Sequence, residues 1–103
     1  MDIRQLHYFL VLCDEMNYSR AAQRLFLSRQ ALRQNLSALE AELCGPLFLS
    51  AHHKLTHTDR GMSLQRHAAP VVEQFQQMQA SLRAEIQSAQ PVRIGISVSL
   101  VPD

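Results

Sequence analysis

Cysteine, glycine and long apolar runs are scarce in this chain, and each shortage excludes a class of protein. The two cysteines, Cys13 and Cys44, form no CxxC pair and no disulfide framework, which indicates a reducing compartment such as the cytoplasm. Three glycines leave no glycine-rich phosphate loop. No apolar run approaches the ~18 residues that a membrane helix needs, and the N-terminus does not read as a signal peptide. We therefore expect a soluble cytoplasmic protein without a membrane partner.

The length of 103 residues limits the chain to one small domain with an appendage and excludes a two-domain enzyme. Apolar residues at 47% and charged residues at 18% are typical of a folded protein. The net charge is only +1, but no carboxylate lies between Glu15 and Glu40. Four arginines fall in that interval: Arg20, Arg24, Arg29 and Arg33. A positive surface is therefore expected there, within a nearly neutral chain.

Apolar residues spaced by three and four predict three helices in the first 43 residues. Asp2 is the predicted N-cap of the first helix, which spans about residues 3–16. Ser19 is the predicted N-cap of a short second helix at residues 20–25, and Ser28 is that of a third helix ending near residue 43. A leucine stripe on the third helix leaves a polar side that carries Arg29, Gln30, Arg33, Gln34 and Ser37.

A β-hairpin and a long helix are predicted after Gly45 and Pro46, which end the third helix. The strands are residues 47–49 and 54–57, joined by a loop at residues 50–53. Thr58 is the next predicted N-cap, and the long helix covers residues 59–89, where Pro70 should introduce a bend. Residues 92–100 then alternate like a strand.

One apolar stripe follows the long helix, and no other part of the chain offers a long matching stripe. Its members are Leu64, Ala68, Val71, Phe75, Met78, Leu82 and Ile86. A narrow stripe of this kind needs a packing partner. It predicts a homodimer formed through the long helix of two copies of the chain.

The order of these elements predicts a mainly α fold: a winged helix-turn-helix, made of three helices and a β-hairpin wing, followed by a long linker or dimerisation helix. In this fold the polar side of the third helix enters the major groove of double-stranded DNA. Arginine suits guanine O6 and N7, and glutamine suits adenine N6 and N7. The predicted base-reading residues are Arg29, Gln30, Arg33 and Gln34.

Residues 1–61 resemble the winged helix-turn-helix of the LysR-type transcriptional regulators. The resemblance is carried by Leu6-x-x-Phe9, by Tyr18-Ser19-Arg20-Ala21-Ala22-x-x-Leu25-x-Leu27-Ser28, by Leu36-x-x-Leu39-Glu40 and by Thr58-x-x-Gly61. It implies a DNA-binding domain at residues 1–58 and a linker and dimerisation helix at residues 59–90. It also implies that residues 91–103 are the first strand of a truncated ligand-binding domain, so that only a full-length protein would bind a small-molecule inducer.

The resemblance further implies contacts with the DNA backbone. The predicted residues are Ser19, Arg20, Ser28 and Ser37 in the helices, and Ser50, His52, His53 and Lys54 in the wing. Ser19 and Arg20 stand at the start of the second helix, where backbone N–H groups can hold a phosphate. The expected complex is a homodimer on an interrupted inverted repeat, which matches its twofold symmetry. Arg33 stands where the family commonly has serine, which implies an operator unlike the family average.

No metal, cofactor or enzymatic activity is expected. The four histidines His52, His53, His57 and His67 match no zinc-ligand spacing. No Ser/His/Asp spacing and no carboxylate pair indicates catalysis. The alternative function is a helical protein–protein interaction adaptor that does not bind DNA and whose arginines are merely solvated. A steep salt dependence of DNA binding would separate the two functions, because only phosphate contacts produce it.

Overall fold

The computed structural model describes residues 1–89, in which Met1–Val72 form one compact unit. The elements are α1 (Ile3–Glu15), α2 (Tyr18–Leu25), α3 (Arg29–Glu42), β1 (Phe48–Ala51), β2 (Lys54–His57) and α4 (Asp59–Ala89). The predicted mainly α fold with a hairpin wing and a long final helix is confirmed. The strand predicted at residues 92–100 lies outside the described residues.

The predicted caps of α1 and α3 are confirmed. The Asp2 carboxylate accepts a hydrogen bond from the Gln5 amide at 2.8 Å and opens α1. The Ser28 hydroxyl oxygen accepts one from the Ala31 amide at 3.0 Å and opens α3. In each case the side chain satisfies a backbone donor that has no partner inside the helix.

The predicted cap of α2 is wrong. Asn17, not Ser19, opens this helix, and its Oδ1 atom accepts a hydrogen bond from the Arg20 amide at 2.9 Å. Asparagine and serine are about equally good N-caps, so the local sequence allowed both positions. The earlier start places Tyr18 and Ser19 in the first turn of α2.

A core of leucine and phenylalanine side chains joins α1, α3 and the segment before β1. Its largest fully buried members are Phe9, Leu12, Leu32, Leu36, Leu39 and Leu47. The helices α1, α2 and α3 contact one another in all three pairs. Ala21 and Ala22 of α2 are also buried, because small side chains permit a close approach between helices. The leucine stripe predicted for α3 is therefore the side that faces the core.

Residues other than glycine adopt the left-handed backbone conformation at the helix ends. Met16 ends α1 with a φ of 50°, and Phe26 ends α2 with a φ of 57°. After α3, Cys44 adopts this conformation with a φ of 62°, and Gly45 does not. Gly45 contributes its amide instead, which donates to the carbonyl of Glu40 at 3.0 Å.

The hairpin is longer than predicted, because its loop is shorter. Ala51 pairs with Lys54 and Ser50 with Leu55, so that Ser50 and Ala51 belong to β1. Only His52 and His53 remain in the turn, with φ values of 51° and 63°. A two-residue hairpin turn with positive φ at both positions favours asparagine and glycine, which makes a pair of histidines an unusual choice here.

The start of α4 is hydrogen-bonded to the segment that follows α3. The Thr58 hydroxyl oxygen accepts a hydrogen bond from the Gly61 amide at 2.9 Å, which confirms Thr58 as a cap, and it donates to the Pro46 carbonyl at 2.8 Å. A Cβ atom on Gly61 would lie 2.1 Å from the Leu47 carbonyl oxygen, so only glycine fits this position. The helix then continues through Pro70. Among residues 1–89, no helix is both long and apolar enough to cross a membrane.

Candidate nucleic-acid interface

The start of α3 presents the four predicted base-reading residues to solvent. Arg29, Gln30, Arg33 and Gln34 occupy the first two turns after the Ser28 cap, and all four are exposed. On the opposite side of the same helix, Leu32, Leu36 and Leu39 are at most 2% exposed. Burial of the leucines therefore fixes which side of α3 faces outward. Ser37 is exposed one turn further along the helix.

The two arginines of α2 lie in ion pairs with the end of α1. The Arg24 Nη1 atom lies 3.1 Å from a carboxylate oxygen of Glu15 and 3.6 Å from one of Asp14. The Arg20 Nε atom lies 3.7 Å from the other carboxylate oxygen of Glu15. Acidic side chains just outside the acid-free interval therefore offset two of its four positive charges.

The two arginines of α3 are in a different electrostatic environment. Within residues 1–89, neither Arg29 nor Arg33 has a carboxylate at ion-pair distance. The guanidinium carbon of Arg33 lies instead 4.6 Å from the centre of the Tyr18 ring, which is a cation–π contact. The pKa of Tyr18 is raised by burial and by the nearby Glu40, and Arg33 lowers it in part.

A cleft of about 300 Å³ separates the start of α2, the start of α3 and the wing. Its polar lining residues are Asn17, Tyr18, Ser19, Arg29, Arg33, Ser50 and His53. The cleft thus brings together members of the three sets of residues predicted to read bases, to hold the backbone and to form the wing contact. The remaining predicted contacts lie outside its lining: Gln30, Gln34, Arg20, Ser28, Ser37, His52 and Lys54.

The tip of the wing is exposed and carries one permanent positive charge. His52, His53 and Lys54 are all exposed, at the turn and the first position of β2. His57, at the far end of β2, is half-buried against Phe48, with ring centres 5.1 Å apart. Within residues 1–89, no group of three histidine, cysteine, aspartate or glutamate side chains is placed to hold a metal ion.

The apolar stripe predicted for dimerisation divides into two parts. Leu64 packs against the core of the first unit, and Ala68 is 3% exposed. Both therefore contribute to the fold of a single chain. The exposed members of the stripe are Val71, Met78, Leu82 and Ile86, and Phe75 is half-buried. The part of the stripe available to a second chain therefore begins at Val71.

The sequence pattern does not predict the contacts of two residues that matter at this surface. Glu15 pairs with both arginines of α2, and Tyr18 stacks against Arg33. Neither contact follows a helical spacing rule, since Glu15 belongs to a different helix and Tyr18 lies fifteen positions before Arg33. The only available signal was that Glu15 borders the acid-free interval.

Comparison with known proteins agrees with this geometry. Residues 3–62 match the sequence model of the bacterial regulatory helix-turn-helix proteins of the LysR family. The chain is 34% identical over 83 residues to the probable cat1 operon transcriptional activator of Acinetobacter lwoffii, which covers 81% of this chain and 27% of the relative. It is 29% identical over 102 residues to the nitrogen assimilation regulatory protein nac of Klebsiella aerogenes, covering 99% of this chain and 32% of that protein. The chain therefore spans about a third or less of the length of these relatives.

A solved structure of the same fold contains DNA. The DNA-binding domain of CbnR in complex with DNA superposes with a TM-score of 0.73 at 29% identity, covering 84% of this chain and 99% of that one. A LysR-family regulator from Eggerthella lenta gives a TM-score of 0.63 at 36% identity, over 65% of this chain and 96% of the other. The family match, the fold and the polar side of α3 lead to one conclusion: the chain belongs to the LysR family of bacterial regulatory helix-turn-helix proteins and carries that family's DNA-binding domain.

Proposed function

We propose that this chain binds double-stranded DNA in a sequence-dependent manner by placing α3 in the major groove. The observation that carries the proposal is the pair of exposed arginines, Arg29 and Arg33, on a helix face without carboxylate partners in the described part of the chain. Each guanidinium can donate two parallel hydrogen bonds to guanine O6 and N7. Gln30 and Gln34 lie on the same exposed side and suit adenine.

The backbone contacts are assigned partly to the lining of the cleft and partly to exposed residues outside it. Ser19 lines it at the first turn of α2, where the helix dipole favours a phosphate. Arg20 follows in the same turn and would exchange Glu15 for a phosphate. Ser50 and His53 line the cleft from the wing. In the helices, Ser28 and Ser37 are the other predicted backbone contacts, and His52 and Lys54 complete the set at the wing tip.

We further infer a homodimer that places two copies of α3 on an inverted repeat. Support comes from four exposed apolar residues, which recur at steps of seven, four and four along α4: Val71, Met78, Leu82 and Ile86. Phe75 lies among them and is half-buried. Two linked binding domains bind two half-sites more tightly than either binds alone.

The full-length protein would then be a transcription regulator and not an enzyme. It would act in the cytoplasm, where bacterial DNA is found, and respond to a small-molecule inducer through a separate ligand-binding domain. The relatives' names support this role, since they include operon activators and a nitrogen assimilation regulator.

The test of DNA binding is a titration with mixed-sequence and selected duplexes at two salt concentrations. Each phosphate contact should add roughly 0.9 to the slope of log affinity against log salt. We expect a steep slope for both duplexes and tighter binding to the selected one. A control variant is Arg83→Ala, which removes one arginine charge from an exposed position of α4, outside the proposed DNA-binding surface. It should change neither the salt slope nor the preference for the selected duplex. Salt-independent or undetectable binding would favour the adaptor function instead.

The test of dimerisation is sedimentation of Phe75→Glu. A charge inside the proposed interface would be buried without a partner, so we expect monomers and weaker DNA binding. The control is Gln77→Glu, which adds the same charge at an exposed residue outside the stripe and should leave a dimer. A dimeric Phe75→Glu chain would place the interface elsewhere.

A further inference from the structure

Tyr18 and Arg33 form a contact whose role is not explained by base reading by Arg33 alone. Tyr18 is the first residue of α2 and is half-buried, while Arg33 is exposed on the second turn of α3. The Arg33 guanidinium carbon lies 4.6 Å from the centre of the tyrosine ring, well inside the ~6 Å range of cation–π contacts. Both side chains line the cleft that also contains Arg29 and Ser50.

The stacked arrangement leaves the recognition edge of Arg33 available. A cation–π contact uses the face of the planar guanidinium, whereas all five N–H donors point outward within the plane. Arg33 can therefore remain stacked on the ring while its edge donates two hydrogen bonds to a guanine. Because a free arginine side chain has substantial rotamer entropy, restraint before binding reduces the entropy lost when the base contact forms.

Arg29 provides a comparison within the same cleft. It lies one helical turn before Arg33 and also lines the cleft. In residues 1–89 no aromatic ring lies against its guanidinium, because the cation–π contacts there involve Arg4 with Tyr8 and Arg33 with Tyr18. Arg29 and Arg33 also repel each other at this spacing of four. The tyrosine ring therefore restrains one of two otherwise similar arginines.

We infer that Tyr18 is a positioning residue that sets base preference through Arg33, by holding the guanidinium face so that its edge meets one base pair. The inference rests on the proposed DNA-binding function. It predicts that the selectivity contributed by Arg33 depends on an aromatic ring at position 18, while the selectivity contributed by Arg29 does not.

The experiment begins with duplexes selected from a random library by the unaltered chain. Arg33→Ala identifies the base pair whose preference depends on Arg33. Tyr18→Leu, which removes the ring, should reduce discrimination at that base pair about two- to fivefold, the range expected for an exposed cation–π contact. Tyr18→Phe keeps the ring and should retain discrimination. The salt slope and the preference at the base pair read by Arg29 should change in neither variant.

A double-mutant cycle shows whether Tyr18 acts through Arg33. In an Arg33→Ala background, Tyr18→Leu should no longer affect discrimination at that base pair, because the side chain that it positions is absent. An equal effect in both backgrounds would overturn the inference. So would retained discrimination in Tyr18→Leu, or lost discrimination in Tyr18→Phe, which would show that the ring alone does not position Arg33.

Nuclear magnetic resonance of the DNA-free chain provides a second measurement that does not need a folded Tyr18→Leu variant. The ring should shift the side-chain proton signals of Arg33 upfield relative to those of Arg29. Equal shifts for the two arginines would overturn the inference even if Tyr18→Leu does not fold. If the unaltered chain binds DNA with a steep salt slope but these tests fail, the proposed function stands without the positioning role. Absence of salt-dependent binding by the unaltered chain would overturn both.

Discussion

Two consecutive helices, α2 and α3, each carry two arginines, but the two pairs of arginines differ in whether they form ion pairs. Arg20 and Arg24 of α2 form ion pairs with carboxylates at the end of α1. Arg29 and Arg33 of α3 have no such partner in the described part of the chain, and Arg33 contacts an aromatic ring instead. A cluster of charges along the sequence is therefore not a uniform positive surface. Of these four arginines, the two without an ion pair in the described part of the chain both lie on α3.

The difference has a physical consequence for binding. An arginine in an ion pair has to exchange its carboxylate for a phosphate, so part of the gain is lost. An exposed arginine without a partner exchanges only water. Exposed ion pairs are worth roughly 0–1 kcal/mol, so those of α2 weaken a phosphate contact without preventing it. The α3 arginines are accordingly suited to discrimination between bases, and those of α2 to general attachment.

The largest expected effect is on base preference. Arg33→Ala should cost about 1–3 kcal/mol on the selected duplex and remove the preference at one base pair. Arg20→Ala should weaken binding to all duplexes about equally and lower the salt slope by about 1. Competition titrations with single-base variants of the selected duplex measure both. If Arg33→Ala also weakens every duplex equally, the distinction between the two helices is wrong.

Exchange of arginine for lysine sharpens the comparison without changing the charge. Arg33→Lys should lose most of the preference at its base pair, because an ammonium group has neither the planar fork nor the stacking face of a guanidinium. Arg20→Lys should bind almost as well as the unaltered chain, since a phosphate accepts a point charge. Preference retained in Arg33→Lys would mean that Arg33 acts through charge alone.

A smaller effect is expected when the Glu15 carboxylate, which pairs with the arginines of α2, is removed. Glu15→Gln frees Arg20 and leaves Arg24 paired with Asp14 alone, and the salt slope should rise by up to roughly 0.9 for each additional phosphate that these arginines then bind. The free energy of unfolding should fall by no more than about 1 kcal/mol, as expected for exposed pairs. Glu42→Gln is the control: it removes a carboxylate that contacts the N-terminal amino group of Met1 and should not change the slope.

The fold could be predicted from the sequence where a local rule left one choice. Asp2 and Ser28 are the only good cap residues at their helix starts, and each of them caps its helix. At α2 two good caps lie two positions apart, and propensity alone does not rank Asn17 above Ser19, so the local sequence leaves the start of this helix open. The hairpin loop was predicted too long because its two-residue turn uses histidines, where the known preference is asparagine and glycine.

The candidate site could be predicted only to the level of helix faces. The leucine stripe determined that Arg29 and Arg33 point outward. It carried no information on which arginines are paired, since Glu15 and Tyr18 approach them from other helices. The stripe on α4 was likewise one continuous pattern in the sequence. Packing of Leu64 onto the core, and burial of Ala68, follow from the path of the chain after the hairpin, which periodicity does not contain.

The smallest expected effect is on the ionisation of Tyr18. It tests the contact between Arg33 of α3 and the Tyr18 ring in the absence of DNA. Burial raises the pKa of Tyr18, the Glu40 charge raises it further, and Arg33 lowers it. Arg33→Ala should therefore raise this pKa, while Arg24→Ala, which removes the same charge from α2, should leave it unchanged. Ultraviolet titration in a Tyr8→Phe background isolates the signal of this tyrosine.

The same shift contributes to the loss of stability at alkaline pH, together with the buried Cys13 thiol, whose pKa is raised by burial to about 12. Because the pKa of Tyr18 in the folded chain is raised above that in the unfolded chain, the neutral phenol contributes stability that is fully present below the unfolded pKa of about 10. That contribution is lost as the pH rises through the folded pKa. Arg33→Ala should make the free energy of unfolding fall more steeply above this pH than Arg24→Ala does, because removal of Arg33 raises the folded pKa further. Parallel alkaline stability curves for the two variants would show that Arg33 does not rest on Tyr18 in solution, and the contrast between α2 and α3 would then reduce to the ion pairs of Asp14 and Glu15.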